Sequence, residues 1–283
     1  MRWLVTGSAG MLGTDLVATL RERGEDVTPL VRGDVDLHDP AAVARAVADH
    51  DVVVNCAAWT RVDDAEENEA EALEVNGTIP DIIARAIADT SARMVQISTD
   101  YVFDGHATTP YAEDAPTAPR SAYGRTKAAG EEAVRAALPD RHYVVRTAWL
   151  YGAHGPCFPK TMARLVRERG TVSVVDDQVG QPTWTVDVAD VVVRLVRADA
   201  PAGSYHATSS GQCSWFELAR AVVASAGLDP EAVTPTTSDA FVRPAPRPAY
   251  SVLGHDALVR AGVEPIGDWR DRWEVAAPSV LAG

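Results

Sequence analysis

Thr6-Gly7-Ser8-Ala9-Gly10-Met11-Leu12-Gly13 is the stretch that settles the architecture of this chain. Trp3-Leu4-Val5 before it is a short apolar run with the length of a buried strand, and Met11, Leu12, Leu16, Val17 and Leu20 after it recur at helical spacing. A strand that turns through glycines into a helix is a dinucleotide-binding unit. One glycine permits the tight turn, another lets the backbone approach a pyrophosphate, and a third lets the helix pack on the strand. The helix N-terminus adds unpaired N–H groups and the favourable end of its dipole for an anion. Glycine patterns alone are weak signals. Here the position between strand and helix selects the dinucleotide site, with Gly7, Gly10, Met11, Leu12 and Gly13 at the pyrophosphate turn.

Strands and helices alternate outward from this unit. The pattern predicts strands at 26–31, 51–55, 92–98 and 142–146, and helices at 40–48, 65–89 (broken near Gly77–Pro80) and 121–138, the last with Ser121 as N-cap. Such alternation implies a Rossmann-type, doubly wound parallel sheet covered on both faces, an α/β fold. Gly7, Ala57, Thr99 and Thr147 fall at the carboxyl ends of its strands, where ligands bind in open sheets of this kind. The second half has shorter segments, helices at 158–169, 186–197 and 215–226, and prolines at 235, 244, 246 and 248. Residues 1–150 are expected to form the NAD(P)-binding domain. Residues 151–283 are expected to form mainly a smaller substrate-binding region, with some elements returning to the sheet.

Composition excludes other classes. The 283 residues are 46% hydrophobic, enough for a sizeable core, and carry a net charge of −14, which argues against nucleic acid. There is no apolar run of membrane-spanning length and no signal-peptide pattern. The three cysteines, Cys56, Cys157 and Cys213, are odd in number and far apart, as expected of reduced thiols in a cytoplasmic protein.

Tyr123 and Lys127 lie four positions apart on the helix expected at 121–138, and so share a face. A free phenol, with a pKa near 10, is a poor acid at neutral pH. A neighbouring ammonium favours the phenolate and lowers that pKa. The same ammonium can hydrogen-bond a nicotinamide ribose. Thr99, ending a strand, offers a hydroxyl to a substrate oxygen. Tyr-x-x-x-Lys alone occurs often by chance; with the glycine turn and Thr99 in this order it points to coupled hydride and proton transfer.

On these residues the chain resembles the extended short-chain dehydrogenases/reductases, and among them the dTDP-4-dehydrorhamnose reductase family, over nearly its whole length. The blocks that carry the resemblance are Ala57-Ala58-Trp59-Thr60-Arg61-Val62-Asp63, Ser98-Thr99-Asp100-Tyr101-Val102-Phe103-Asp104-Gly105, Tyr123-Gly124-Arg125-Thr126-Lys127 and Arg146-Thr147-Ala148-Trp149-Leu150-Tyr151-Gly152. Phe158-Pro159-Lys160-Thr161-Met162, the run from Asp176 to Thr183, and Arg247-Pro248 complete it. The resemblance implies that Thr99, Tyr123 and Lys127 are catalytic. It implies that Asp100, Tyr101 and Trp149 contact the sugar, that Asp36 and Leu37 lie at the adenine, and that Ala57, Ala58 and Thr60 line the nicotinamide side. Related dehydratases follow the threonine with Asp-Glu; here Asp100-Tyr101 lacks that glutamate, which favours a ketoreductase. Some members of the family pair through magnesium. Asp15 stands at one ligand position, but Val186 occupies the place of a second carboxylate and cannot ligate a hard cation, so no metal is expected.

Two arginine positions refine the expectation. The second strand runs into Val31-Arg32-Gly33, and an arginine there accommodates a 2′-phosphate, so NADPH is expected in preference to NADH. Arg243 and Arg247 sit in a segment stiffened by Pro244, Pro246 and Pro248, and Arg247 is expected to hold the diphosphate of a nucleotide sugar. The chain is therefore expected to reduce the C4 keto group of a dTDP-4-keto-6-deoxyhexose, as a monomer or homodimer. A reductase for another nucleotide-linked deoxysugar and a non-catalytic regulatory subunit of the same fold are the alternatives.

Overall fold

The structure is a computed structural model and describes residues 1–282. The first half lays down β1 (Arg2–Thr6), α1 (Met11–Glu22), β2 (Asp26–Leu30), α2 (Pro40–Val47), β3 (Val52–Asn55), α3 (Glu69–Leu73), α4 (Ile79–Ala88), β4 (Arg93–Thr99), α5 (Ala122–Ala137) and β5 (His142–Thr147). The second half adds β6 (Leu150–Tyr151), α6 (Phe158–Arg169), β7 (Val172–Val175), β8 (Val179–Gly180), β9 (Thr183–Trp184), α7 (Thr185–Arg197) and β10 (Gly203–His206). It ends with β11 (Ser209–Ser210), β12 (Cys213–Ser214), α8 (Trp215–Ser225), β13 (Val233–Thr236), α9 (Asp256–Arg260), β14 (Ile266–Asp268) and α10 (Trp269–Leu281).

Six parallel strands form the central sheet in the order β2-β1-β3-β4-β5-β10. The order reverses at β1, so the crevice between the carboxyl ends of β1 and β3 is the topological switch point. Strand alternation feeds two cores. Trp3 and Val5 pack with α1 and α7 on one face, while Leu4 packs with α2 and α4 on the other. Both faces are thus covered, as a parallel sheet requires. A third core joins α6, α8 and α10 around Tyr151, Trp269 and Trp273.

The segment expected as one broken helix at 65–89 is four pieces: a short 3-10 turn at Asp64–Glu66, α3, a π-turn at Glu74–Thr78 and α4. The cause lies at Asn76. Its Nδ2 donates to the Trp59 carbonyl and to Thr126 Oγ1, both at 3.1 Å, and its Oδ1 accepts from the Trp59 amide at 2.9 Å. Gly130 on α5 comes so near that an added Cβ would stand 2.1 Å from the Asn76 carbonyl oxygen. The π-turn is the local adjustment that brings Asn76 to all these partners.

Candidate active site

The glycine turn works as its spacing predicts. Gly7 has φ of +64°, and a Cβ there would sit 2.6 Å from the Ala57 amide nitrogen, so only glycine fits between β1 and the end of β3. Gly13 packs α1 on the turn, with a Cβ position 2.3 Å from the Gly7 carbonyl oxygen. The N-terminus of α1 at Gly10 has no side-chain cap and no acid in its first turn, leaving its amides free for an anion. A cavity of about 690 Å³ opens in front of it, lined by Gly7, Gly10, Arg32, Asp36, Leu37 and Ala57 among others. Arg32 is exposed there and makes no ion pair among the described residues. A dinucleotide fits: uncapped amides face its pyrophosphate, and a free guanidinium sits off the end of β2 for a 2′-phosphate. Met11, Leu12 and Gly13 do not line the cavity: Gly13 packs on the turn, Leu12 is buried, and Met11 packs against the core around Tyr151 and Trp273. Ala58 lines the wall, whereas Thr60 lies outside it, exposed.

Thr99, Tyr123 and Lys127 come together at the carboxyl ends of β4 and β3. Ser121 caps α5 by accepting from the Gly124 amide at 3.1 Å, which sets Tyr123 in the first turn. Gly124 allows this turn to touch the Thr99–Phe103 segment, since a Cβ there would lie 2.2 Å from the Tyr101 carbonyl oxygen. The Thr99 hydroxyl donates to Asp100 Oδ1 at 2.9 Å and accepts from the Tyr101 amide at 3.2 Å. Tyr123 meets Tyr101 edge-on, ring centroids 5.6 Å apart. The Lys127 ammonium is buried and donates to the Ile97 carbonyl at 2.6 Å. That carbonyl ends a row of side chains running across the sheet from the glycine turn. Thr6 donates to Asn55 at 2.6 Å, Asn55 to Gln96 at 2.9 Å, and Gln96 to Ile97 at 3.0 Å.

Burial decides the proton affinities. The Tyr123 phenol is pushed up to about 12 by desolvation; the Thr99 hydroxyl pulls it down and the Asp100 charge pushes it further up. The phenol thus lies above its free value and not below it as expected beside Lys127, because desolvation is the largest influence on it. Burial brings Lys127 down to about 8, opposed by the negative charge of Glu131. Asp100 is buried and rises to about 6, mainly by desolvation.

A second cavity, of about 1010 Å³, lies on the other side of Tyr101. Phe158, Trp215 and Phe241 supply apolar walls, and Arg169, Arg243 and Arg247 line it as well. Arg247 is engaged: its Nη1 and Nη2 donate to the two carboxylate oxygens of Asp63 at 2.7 and 2.8 Å. The sequence did not foresee this pair, whose members lie 184 positions apart. Trp149 does not line the cavity. It stacks behind Trp215, centroids 3.6 Å apart and planes 10° from parallel, and holds a left-handed backbone with φ of 46°. Trp215 itself carried no sequence signal beyond its place at a helix start.

The carboxylate at the possible magnesium position is occupied otherwise. Asp15 accepts from the Thr185 hydroxyl and stands 3.4 Å from His154 Nε2. Beside Val186, Asp187 is held by Arg272 through two bonds of 2.8 Å. No metal-holding cluster of His, Cys, Asp and Glu exists among the described residues, and no helix there is long and apolar enough to cross a membrane.

Comparison with known proteins agrees with this geometry. A family model described as the RmlD substrate binding domain matches residues 1–279. A dTDP-4-dehydrorhamnose reductase of Streptomyces griseus is 54% identical over 95% of this chain and 90% of its own. A probable dTDP-4,6-dihydroxy-2-methyloxan-3-one 4-ketoreductase of Streptomyces antibioticus is 51% identical over 100% of this chain and 96% of its own. The crystal structure of dTDP-4-dehydrorhamnose reductase from Bacillus anthracis in complex with NADP superposes with a TM-score of 0.93 at 35% identity, covering 97% of this chain and 98% of the other. The protein belongs to the dTDP-4-dehydrorhamnose reductase family of Rossmann-fold oxidoreductases.

Proposed function

We propose that this protein reduces the C4 keto group of a dTDP-4-keto-6-deoxyhexose with NADPH. The observation that carries it is a catalytic trio set between two cavities. Cys56 and Ala57, at the end of β3 beside the strand whose Ile97 carbonyl Lys127 bonds, line the cofactor cavity, while Tyr123 packs on Tyr101, which lines the other. When bound, NADPH supplies the hydride that adds to the sugar carbon. Tyr123 gives its proton to the oxygen that becomes the alkoxide, and Thr99 holds that oxygen in place. Tyr123 is then restored by a proton from water. A phenol held near 12 without ligand keeps its proton until charge develops on the substrate oxygen. Lys127 stabilises the phenolate left behind and binds the nicotinamide ribose. Arg247 and Arg243 face the substrate diphosphate in a protein that is otherwise strongly acidic.

The S. antibioticus relative is named for a different, more deoxygenated keto sugar, which favours a deoxysugar of that kind as the second choice of substrate. Loss of NADPH absorbance on addition of a panel of dTDP-4-keto sugars tests both. Turnover of a dTDP-linked ketone and not of the free sugar is expected; no turnover with any of them refutes a ketoreductase and leaves a regulatory subunit. We place the enzyme in the cytoplasm, as a monomer or homodimer.

A further inference from the structure

A hydroxyl has one proton to give and two lone pairs to accept with. In Thr99 most of these are committed. Its proton goes to Asp100 Oδ1 at 2.9 Å, and one lone pair takes the Tyr101 amide at 3.2 Å. An oxygen that becomes an alkoxide is held by a donor. The role drawn above for Thr99 therefore needs its proton turned away from Asp100, and what turns it is decided at Asp100.

Asp100 is 3% exposed, and its Oδ2 has no hydrogen-bond partner. The groups around it are few. Its own turn supplies Thr99 and Tyr101. From α5 come Tyr123, edge-on to Tyr101, and Lys127, which is committed to the Ile97 carbonyl. The segment after Pro248 supplies Ser251, whose Oγ is likewise buried without a partner. Tyr123 is neutral, its phenol being pushed up to about 12 by burial. No lysine, arginine or histidine bonds or ion-pairs with Asp100 among the described residues. A carboxylate in such a place has lost its water and gained no countercharge, and taking up a proton removes that cost. Burial accordingly lifts the Asp100 carboxyl to about 6, against the pull of the Ser251 and Thr99 hydroxyls.

We propose that Asp100 is a positioning residue that sets the direction of the Thr99 hydroxyl. The inference rests on the reading that Thr99 holds the substrate oxygen. As a carboxylate, Asp100 accepts the Thr99 proton and keeps it from the ketone. As a neutral acid, Asp100 donates, since two oxygens 2.9 Å apart suit a bond in either direction. Thr99 then accepts from Asp100 and gives its own proton as a hydrogen bond to the oxygen on which charge develops. No covalent bond forms or breaks in this change; two O–H groups turn. Bound NADPH and nucleotide sugar exclude water and bring phosphate charge, and both favour the neutral acid. The turn thus accompanies assembly of the complex.

Infrared difference spectra between the wild type and Asp100→Asn, without ligand, isolate this one carboxyl. Its carboxylic-acid band should give way to a carboxylate band with a midpoint at about 6. A carboxyl that stays ionised down to about 4, the range of exposed acids, overturns the neutral acid. The kinetic test follows kcat/KM for the sugar nucleotide against pH at saturating NADPH. Asparagine offers Thr99 an amide donor at every pH. The wild type should fall roughly tenfold for each pH unit beyond the point where Asp100 ionises in the NADPH complex. Asp100→Asn should stay level until Lys127 titrates at about 8. Thr99→Val, with Asp100 intact, should lack the Asp100 limb, and adding Asp100→Asn to it should change nothing more. An Asp100→Asn profile that falls like the wild type, or an Asp100 limb that survives in Thr99→Val, overturns the positioning role; in the second case Asp100 acts on the ligand itself. The infrared measurement needs no substrate, so its outcome is separate from whether the proposed sugar is turned over.

Discussion

Replacing Trp149 by alanine and by glycine separates two effects that usually act together. Both substitutions delete a half-buried indole stacked on Trp215. A fully buried Trp costs about 3–5 kcal/mol when truncated, so a half-buried one costs less, equally in the two variants to first order. They differ in backbone. At an ordinary position glycine is the less stable residue by about 0.4–1 kcal/mol, because the unfolded chain is freer. At φ of 46° an L-residue pays about 1–2 kcal/mol for the left-handed conformation, which glycine avoids. The strain outweighs the entropy, so the glycine variant should be the more stable of the two by about 1 kcal/mol, the difference between those two ranges. Equilibrium urea denaturation of both proteins at matched m-value reads it. An alanine variant more stable than the glycine variant by about 0.5 kcal/mol or more, the ordinary order, would refute backbone strain at 149. Gly180 gives a cross-check, since a Cβ there would lie 2.5 Å from Trp149 Cε2. Gly180→Ala should destabilise the wild type and cost far less once the indole is gone. Because Trp215 loses its stacking partner, both Trp149 variants should raise KM for the sugar nucleotide and leave the NADPH dissociation constant unchanged.

Other expectations follow from the site. Tyr123→Phe should lower kcat by about 10²–10⁴, the usual loss of a general acid, with NADPH affinity retained in a fluorescence titration; turnover within a few-fold of wild type would exclude Tyr123 as the proton donor. Arg32→Ala should raise KM for NADPH far more than for NADH, and an equal effect on both would rule out a phosphate contact. Arg247→Ala removes one cation and leaves Asp63 unpaired in the substrate cavity, so calorimetry should show weaker sugar-nucleotide binding and unchanged NADPH binding. Asp63→Asn should have the opposite sign for the sugar nucleotide, and weakening by both substitutions would contradict a charge role for the pair.

Local chemistry was legible and distant pairing was not. The glycine turn, the Ser121 cap and the Tyr123–Lys127 spacing are short-range patterns with a mechanical cause, and the chain builds them where the pattern indicates. The two-residue strands β6, β8, β9, β11 and β12 have no periodicity to detect. The π-turn at Glu74–Thr78 arises from bonds to Trp59 and Thr126, which periodicity within the segment cannot report. Asp63 and Arg247 each look like a solvated charge until the fold brings them together, as do Glu131 and Arg146. Arg247 read as a free phosphate clamp because its sequence neighbours are prolines; its actual neighbour is a carboxylate from the opposite half of the chain.

The return of α7 and β10 to the central sheet ties the two halves of this protein together. Without residues 185–206, β5 would expose its outer edge and α1 would lose the apolar face made by Val188, Val191, Val192 and Leu195. The chain crosses between the layers more than once, so no single cleavage yields a self-sufficient cofactor-binding piece. Heating or denaturant should therefore take the molecule apart in one cooperative step. The same crossings limit how the substrate layer can move: they leave small rotations about several strands of chain and forbid the wide opening that a single linker would permit. Phe241 and the 90% exposed Val242 line the second cavity, so a ligand can reach it from that side while the sheet stays whole.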